Sequence, residues 1–116
     1  EIKFCQFGLD CFIINNPTDK DIIAAQNGLK EVSEAIKSNY YDMIILDEIC
    51  IAIHYDLISI DEVVKVINLR NENTEIILTG RYAPQELIDI ADLVTEMKEI
   101  KHYYNSGIIA RRGIEF

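Results

Sequence analysis

The chain has 116 residues, of which 49% are hydrophobic and 27% are charged. This length and composition predict one globular domain with one core and exclude a disordered chain. The formal net charge of −9 excludes a general attraction to nucleic acid or to an anionic membrane surface. No apolar run approaches the ~20 residues that span a bilayer, so we expect a cytoplasmic protein.

The first half of the chain is predicted to form two strands around one long helix. Residues 2–7 alternate loosely between apolar and polar side chains, which predicts a first strand. Apolar residues recur at close to a 3.6-residue period over 19–38 and predict a helix that Thr18 or Asp19 would cap. The continuous apolar run within 42–47 predicts a second strand that is buried on both faces.

The middle of the chain is predicted to continue the alternation of helices and strands. Residues 48–55 are predicted to form a short helix. Ser59, with Glu62 three residues later, predicts a capping box at the start of the next helix. A third strand is predicted at residues 75–78.

The last part of the chain is predicted to hold one more helix, one more strand and a tail. Pro84 marks the start of a helix that runs to about residue 90, since its missing N–H costs little there. Residues 93–97 are predicted to be the fourth strand, and residues 101–116 a tail that packs near the functional site. The alternation predicts an α/β domain with a mostly parallel sheet flanked by helices.

Polar side chains follow the predicted strands at their carboxyl ends. Asp47 and Glu48 follow the second strand, Thr79 and Arg81 follow the third, and Glu96 lies late in the fourth. Ligands of open parallel sheets bind at this edge, so we expect the functional site there. Two adjacent acids at the end of an apolar strand would therefore be exposed to solvent at the edge where ligands bind.

An apolar strand that ends in Asp-Glu is the Walker B pattern of nucleotide-binding proteins. Carboxylate oxygens suit Mg²⁺, which keeps several of its waters. The alternative is that Asp47 and Glu48 only complement the dipole at the start of a helix. A nucleotide site of this type also needs the phosphate-binding loop GxxxxGK[ST], which residues 1–116 do not contain. Either the nucleotide interpretation is wrong or that loop precedes residue 1.

Three stretches of the chain resemble one enzyme family. They are YDMIILDEI, ILTGRYAPQELIDIADLVTEM and the closing KHYYNSGIIARRGIEF. Together they are similar to the P-loop-type corrinoid adenosyltransferases, the CobA/BtuR family, over about residues 19–116. The chain starts with Glu1 in what is predicted to be the interior of a strand. We therefore expect a single partial domain, residues 1–116, of a longer protein whose N-terminal part is missing.

The resemblance implies a fold, a reaction and a set of site residues. The fold would be P-loop NTPase-like (RecA-like). The enzyme would move the 5'-deoxyadenosyl group of ATP to the cobalt of a reduced corrinoid and release triphosphate, with Mg²⁺ or Mn²⁺ as cofactor. Asp47 and Glu48 would bind the metal. The residues that would contact ATP or corrinoid are Asp47, Glu48, Thr79, Arg81, Lys101, Arg111 and Phe12.

The loop after Gly8 departs from the family pattern and leaves other functions open. Family members place an aromatic pair there, whereas Cys11 and Ile13 occupy those positions and Phe12 is the aromatic residue nearby. The alternatives are a non-catalytic regulatory member that binds ATP or corrinoid, and a structural remnant. The resemblance also implies cobalamin or a corrinoid precursor as substrate, a flavin-type reductant as partner and a homodimer. Residues 1–116 alone are expected to bind ATP poorly and to be inactive.

Overall fold

The structure, a computed structural model, describes residues 2–8 and 16–115. None of the helices in this part of the chain combines the length and apolar character that a bilayer crossing requires. The elements, in chain order, are α1 (Asp19–Lys37), β1 (Met43–Leu46), α2 (Ile49–His54), α3 (Ile60–Ile67), β2 (Glu75–Leu78), α4 (Gln85–Ile90) and a 3₁₀ turn (Tyr103–Ser106).

The two strands form a parallel pair with helices between them in the sequence. Met43 pairs with Glu75 and Leu46 pairs with Leu78, so both strands end at the same level. The connection passes through α2 and α3, as a parallel pair requires a long crossover. The predicted α/β class with a parallel sheet flanked by helices is confirmed for the part of the chain that the structure describes.

The predicted first and fourth strands are wrong. Residues 2–7 and 93–97 form neither a strand nor a helix. Ile2 is 96% exposed and Met97 is 93% exposed, although the half-buried Phe7 side chain lies against Gly28 of α1. A strand exists only where a neighbouring strand completes its hydrogen bonds. Neither segment has such a neighbouring strand among residues 2–8 and 16–115.

The expectation that β1 is buried on both faces is also wrong. Met43 and Ile45 are 51% and 57% exposed, and Ile77 of β2 is exposed beside them on the same face. Leu46 is buried, and its partner Leu78 packs against the core on the opposite face. The apolar run therefore predicted the strand correctly but not its burial. Among the described residues, helices cover only one face of the sheet.

The core is formed where α1, α2, α3 and α4 meet. Its buried members are Leu29, Cys50, Ile58, Val63 and Leu87. Each of the four helices presents at least one of these side chains, so the core ties all four helices together. The period-3.6 pattern predicted Leu29 correctly as part of the buried face of α1.

Capping boxes start both of the longer helices. Thr18 caps α1 and exchanges hydrogen bonds with Asp21, which settles the choice between Thr18 and Asp19. Ser59 caps α3: the Glu62 N–H donates to Ser59 Oγ at 3.3 Å, and the Ser59 N–H donates to the Glu62 carboxylate at 2.9 Å. The hydrogen bonds from the Ser59 side chain, and then from its backbone, lower the pKa of Glu62. The box predicted from Ser59 and Glu62 is confirmed.

We predict that the Ser59–Glu62 box makes the free energy of unfolding depend on pH. The pKa of Glu62 is lower in the folded state, so its contribution is complete above the unfolded pKa, which is about 4.3. It is lost as the pH falls through the lower, folded pKa. Glu62→Gln keeps an oxygen that accepts from Ser59 but loses the charge, so it should reduce the free energy of unfolding at pH 7 by about 0.5 kcal/mol and by progressively less at lower pH. Urea unfolding at pH 7, 5 and 3.5 measures this difference.

The control for this measurement is Glu31→Gln on α1. Glu31 is exposed, and its side chain makes no hydrogen bond within residues 2–8 and 16–115. This variant removes the same charge from a side chain that is not part of a capping box. A destabilisation by Glu62→Gln that stays constant from pH 7 to pH 3.5, or that Glu31→Gln reproduces, would contradict the predicted role of the box.

A glycine after β2 allows the chain to pass close to α2. Gly80 adopts φ +129°, and a Cβ built there would lie 2.9 Å from Cβ of Cys50. Cys50 is buried in the core, so it has little room to move away. Position 80 therefore needs glycine for two reasons: its backbone conformation and its contact with Cys50.

We predict that Gly80→Ala lowers the free energy of unfolding by about 1–3 kcal/mol. The matched control is Gly107→Ala, because Gly107 also has a positive φ, of +85°, but no described residue lies within 4 Å of the place where its Cβ would be. Chemical unfolding of both variants separates backbone strain from the contact with Cys50. If Gly80→Ala costs no more than Gly107→Ala, close packing at position 80 does not matter.

Candidate functional site

The candidate site lies where β1 and β2 end. The Thr79 hydroxyl donates a hydrogen bond to Asp47 Oδ1 at 2.6 Å, which joins the residue after β2 to the residue after β1. Thr79 is half-buried, whereas Asp47 is exposed. The two acids at the end of β1 thus leave the core at the carboxyl edge of the sheet, as the sequence predicted.

Glu48 has an unusual backbone conformation. Its φ of 59° and ψ of 22° lie in the left-handed region, which residues other than glycine seldom adopt. In this conformation its N–H donates to Thr79 Oγ1 at 2.9 Å. Glu48 occupies the N-cap position of α2, but its side chain makes no capping hydrogen bond. Glu48 therefore does not cap α2 through a side-chain hydrogen bond, whereas the alternative that it complements the dipole of α2 is compatible with its position.

Cys50 lies under this junction in the core. Its N–H donates to the Thr79 carbonyl oxygen at 3.2 Å. Burial, and next the nearby negative charge of Glu48, raise the pKa of the Cys50 thiol. Raising the pKa disfavours the thiolate, which is the nucleophilic form of cysteine. Cys50 therefore packs the site from below, and its surroundings disfavour the nucleophilic thiolate form.

Arg81 is at the same edge but is not joined to the acids. Within residues 2–8 and 16–115 it makes no salt bridge, and its guanidinium carbon lies 5.8 Å from the centre of the Tyr82 ring. Tyr82 in turn stacks on His54 of α2, with ring centroids 4.3 Å apart. The sequence analysis missed this stack, because 28 positions separate its two rings and no local pattern connects them.

In the tail, Tyr103, Arg111 and Glu115 form a separate hydrogen-bonded group. Arg111 donates through its guanidinium to Glu115 at 3.2 Å, and through its backbone N–H to the same carboxylate at 2.6 Å. Tyr103 also donates to Glu115. Lys101 is exposed. Among the described residues, neither Lys101 nor Arg111 forms a hydrogen bond or salt bridge with Asp47 or Glu48, and the packing of the tail near the site stays a prediction.

The charges within this tail group are coupled. The hydrogen bond from Tyr103, and next the one from the Arg111 backbone, lower the pKa of Glu115. The same contact with Glu115 raises the pKa of Tyr103. Phe12, which the sequence analysis placed beside the corrinoid, lies outside the described residues. Its role also stays a prediction.

The oxygen atoms at the junction are suited to a hard cation. In the part of the chain that the structure describes, no three His, Cys, Asp or Glu residues are grouped as a protein-only metal site. Asp47 and Glu48 are two exposed acids, and Thr79 occupies one oxygen of Asp47. Mg²⁺ commonly binds one or two carboxylates and fills its remaining positions with water and substrate phosphates. The donor set therefore fits Mg²⁺ or Mn²⁺ and does not form a closed cage.

Comparison with known proteins gives a consistent result. A corrinoid adenosyltransferase of Sinorhizobium sp. is 43% identical over 98 residues, which are 84% of this chain and 46% of the relative. Corrinoid adenosyltransferase CobA of Salmonella typhimurium is 35% identical over 75 residues, 65% of this chain and 38% of the relative. One from Pseudomonas aeruginosa is 33% identical over 97 residues, 84% of this chain and 48% of the relative. The chain thus spans about half the length of the curated relatives it matches.

The family profile covers more of the chain than any of these relatives. A profile described as ATP:corrinoid adenosyltransferase BtuR/CobO/CobP matches residues 2–116. This range includes both acids of the junction, Thr79 and the tail. The chain belongs to the ATP:corrinoid adenosyltransferase BtuR/CobO/CobP family.

Proposed function

We propose that this protein transfers the 5'-deoxyadenosyl group of ATP to the cobalt of a reduced corrinoid and releases triphosphate. Family membership supports the reaction class. The observation that carries the proposal is the junction at the ends of β1 and β2, where Thr79 links Asp47 to Glu48. The parallel pairing beneath it is compatible with a P-loop NTPase-like (RecA-like) domain.

In this reaction the protein must position the two substrates and stabilise the charge of the leaving triphosphate. Cobalt(I) of the corrinoid substrate is itself the nucleophile: it forms a bond to C5' of ATP, and the bond between C5' and the triphosphate oxygen breaks. A magnesium or manganese ion, when bound, would neutralise charge on the triphosphate. Asp47 and Glu48 would hold it, since both are exposed at the edge and carry hard oxygen donors. Arg81, exposed after β2, would add positive charge at the same edge.

The tail and the loop supply the remaining contacts in this proposal. Lys101 and Arg111 would bind the phosphates of ATP. The guanidinium of Arg111 is already paired with Glu115, so Lys101 is the freer of the two charges among the described residues. Phe12 would lie on the corrinoid side. The substrates would be ATP and cobalamin or a corrinoid precursor, a flavin-type reductant would supply the electrons, and the enzyme would be a cytoplasmic homodimer.

The competing function is a non-catalytic regulatory member that binds ATP or corrinoid. The observation that favours it is the loop after Gly8, where Cys11 and Ile13 replace the aromatic pair that the family resemblance leads one to expect. Such a protein would keep the acids of the junction and bind ligand without transferring the adenosyl group. An assay for the new cobalt–carbon bond separates the two functions.

We predict that residues 1–116 by themselves bind ATP weakly. This stretch contains no GxxxxGK[ST] loop, whose row of backbone N–H groups binds phosphates in nucleotide-binding proteins. Titration calorimetry with ATP and Mg²⁺ should show no binding tighter than about millimolar, which corresponds to ~4 kcal/mol. Micromolar, Mg²⁺-dependent binding would mean that another part of this chain binds the triphosphate.

We also predict that Glu48→Gln removes about 99% of the adenosyl transfer rate, because an oriented charge of this kind is worth roughly a hundredfold. The assay joins this chain to the half of the Sinorhizobium relative that it does not match. Formation of the cobalt–carbon bond is then followed from chemically reduced cobalamin and ATP. Asp47→Asn is measured beside it to show which acid contributes more.

The matched control is Glu72→Gln, which removes the same charge from an exposed position before β2. Thermal melts of all variants check the fold. An inactive chimera that still binds ATP and corrinoid would support the regulatory alternative. Full activity in both Glu48→Gln and Asp47→Asn would show that the two acids are not part of the site.

A further inference from the structure

Every polar group of Thr79 is bonded to the stretch that runs from Leu46, the last residue of β1, to Cys50 in α2. Its N–H donates to the Leu46 carbonyl oxygen at 3.2 Å, and its own carbonyl oxygen accepts from the Cys50 N–H at 3.2 Å. Its hydroxyl accepts from the Glu48 N–H at 2.9 Å and donates to Asp47 Oδ1 at 2.6 Å. One residue thus holds the whole turn from β1 into α2.

The chemistry of these groups fixes the direction of the two hydroxyl bonds. A backbone N–H can only donate, so Thr79 Oγ1 must be the acceptor for Glu48. The hydroxyl has one proton, and an ionised carboxylate can only accept, so that proton goes to Asp47. Thr79 then has no proton left to donate to a nucleotide, which argues against a direct phosphate contact through its hydroxyl proton.

The same bonds explain the conformation of Glu48. A left-handed conformation is unfavourable for a glutamate and persists only where the surroundings compensate for it. Here the conformation directs the Glu48 N–H to the Thr79 hydroxyl, while the Glu48 carbonyl oxygen accepts from Ile51 and begins α2. Thr79 therefore fixes the backbone N–H of Glu48 and one carboxylate oxygen of Asp47.

We propose that Thr79 is a positioning residue whose hydroxyl orients Asp47 and the backbone of Glu48 so that both acids face one divalent cation. This inference rests on the proposed function for the cation and on the observed hydrogen bonds for the positioning. Thr79 acts through the two acids and does not itself contact the cation or the substrate. The valine isostere removes the hydroxyl while keeping the shape, and serine restores the hydroxyl.

The positioning is tested by amide hydrogen exchange, measured by NMR on the chain of 116 residues. In the wild type, the Glu48 amide should exchange at least about tenfold more slowly than an unprotected amide although Glu48 is exposed. Thr79→Val should accelerate its exchange by about tenfold, and Thr79→Ser should not. The amide of residue 79, bonded to Leu46, reports whether the ladder survives in each variant.

These results decide the proposal even if the valine variant fails to fold. An unprotected Glu48 amide in the wild type would overturn the positioning role without any variant. A serine variant that behaves like the valine variant while its ladder amide stays protected would overturn it as well. Protection that depends on the hydroxyl, and only on the hydroxyl, would support it.

Paramagnetic broadening by Mn²⁺ tests the cation separately and detects weak binding. In the wild type, low Mn²⁺ should broaden the amide signals of Asp47 and Glu48 before that of the control acid Glu72. Thr79→Val should need about tenfold more Mn²⁺ for the same broadening, and Thr79→Ser should match the wild type. Protected exchange without selective broadening would overturn the metal role in the proposed function and leave the positioning supported. Equal broadening in wild type and valine variant would overturn the positioning.

Discussion

The parallel pairing of β1 with β2 is the constraint on which the candidate site depends. Leu46 is level with Leu78, so the first residues beyond the strands, Asp47 and Thr79, are neighbours as well. The ladder continues one step past the strands through the bond from Thr79 N–H to Leu46. A shift of one residue would bring Gly80 beside Asp47 and remove the hydroxyl from the site. Register and site are therefore set by the same contacts.

Interactions close in sequence were the ones that the sequence predicted. Ser59 and Glu62 are three positions apart, and their box forms as expected. That Asp47 and Glu48 would be exposed after an apolar strand also followed from the local pattern. The bond from Glu48 to Thr79 spans 31 positions, and the left-handed turn that makes it possible has no signature in a glutamate. These features depend on tertiary packing, which single-sequence patterns do not record.

The wrong predictions have a related cause. A run such as the one at 93–97 records that apolar side chains are present, but a strand also needs a neighbour. The strands show the same limit of hydrophobicity as a guide to burial. Their apolar residues on one face, Met43, Ile45 and Ile77, are exposed. Hydrophobicity thus indicates which segments can be buried, and only the three-dimensional arrangement shows which segments are buried within residues 2–8 and 16–115.

The long sequence separation within the site has a consequence for how the protein folds. The hydrogen bond between Thr79 and Asp47 spans 32 positions, so the loop from one to the other must close before Thr79 can orient the Asp47 carboxylate. The helices between them make local hydrogen bonds, whereas the site forms only with the ladder. The unfolded chain therefore lacks this orientation, and a ligand that needs the oriented carboxylate binds the native state more tightly. By mass action, such a ligand would raise the stability of the entire domain.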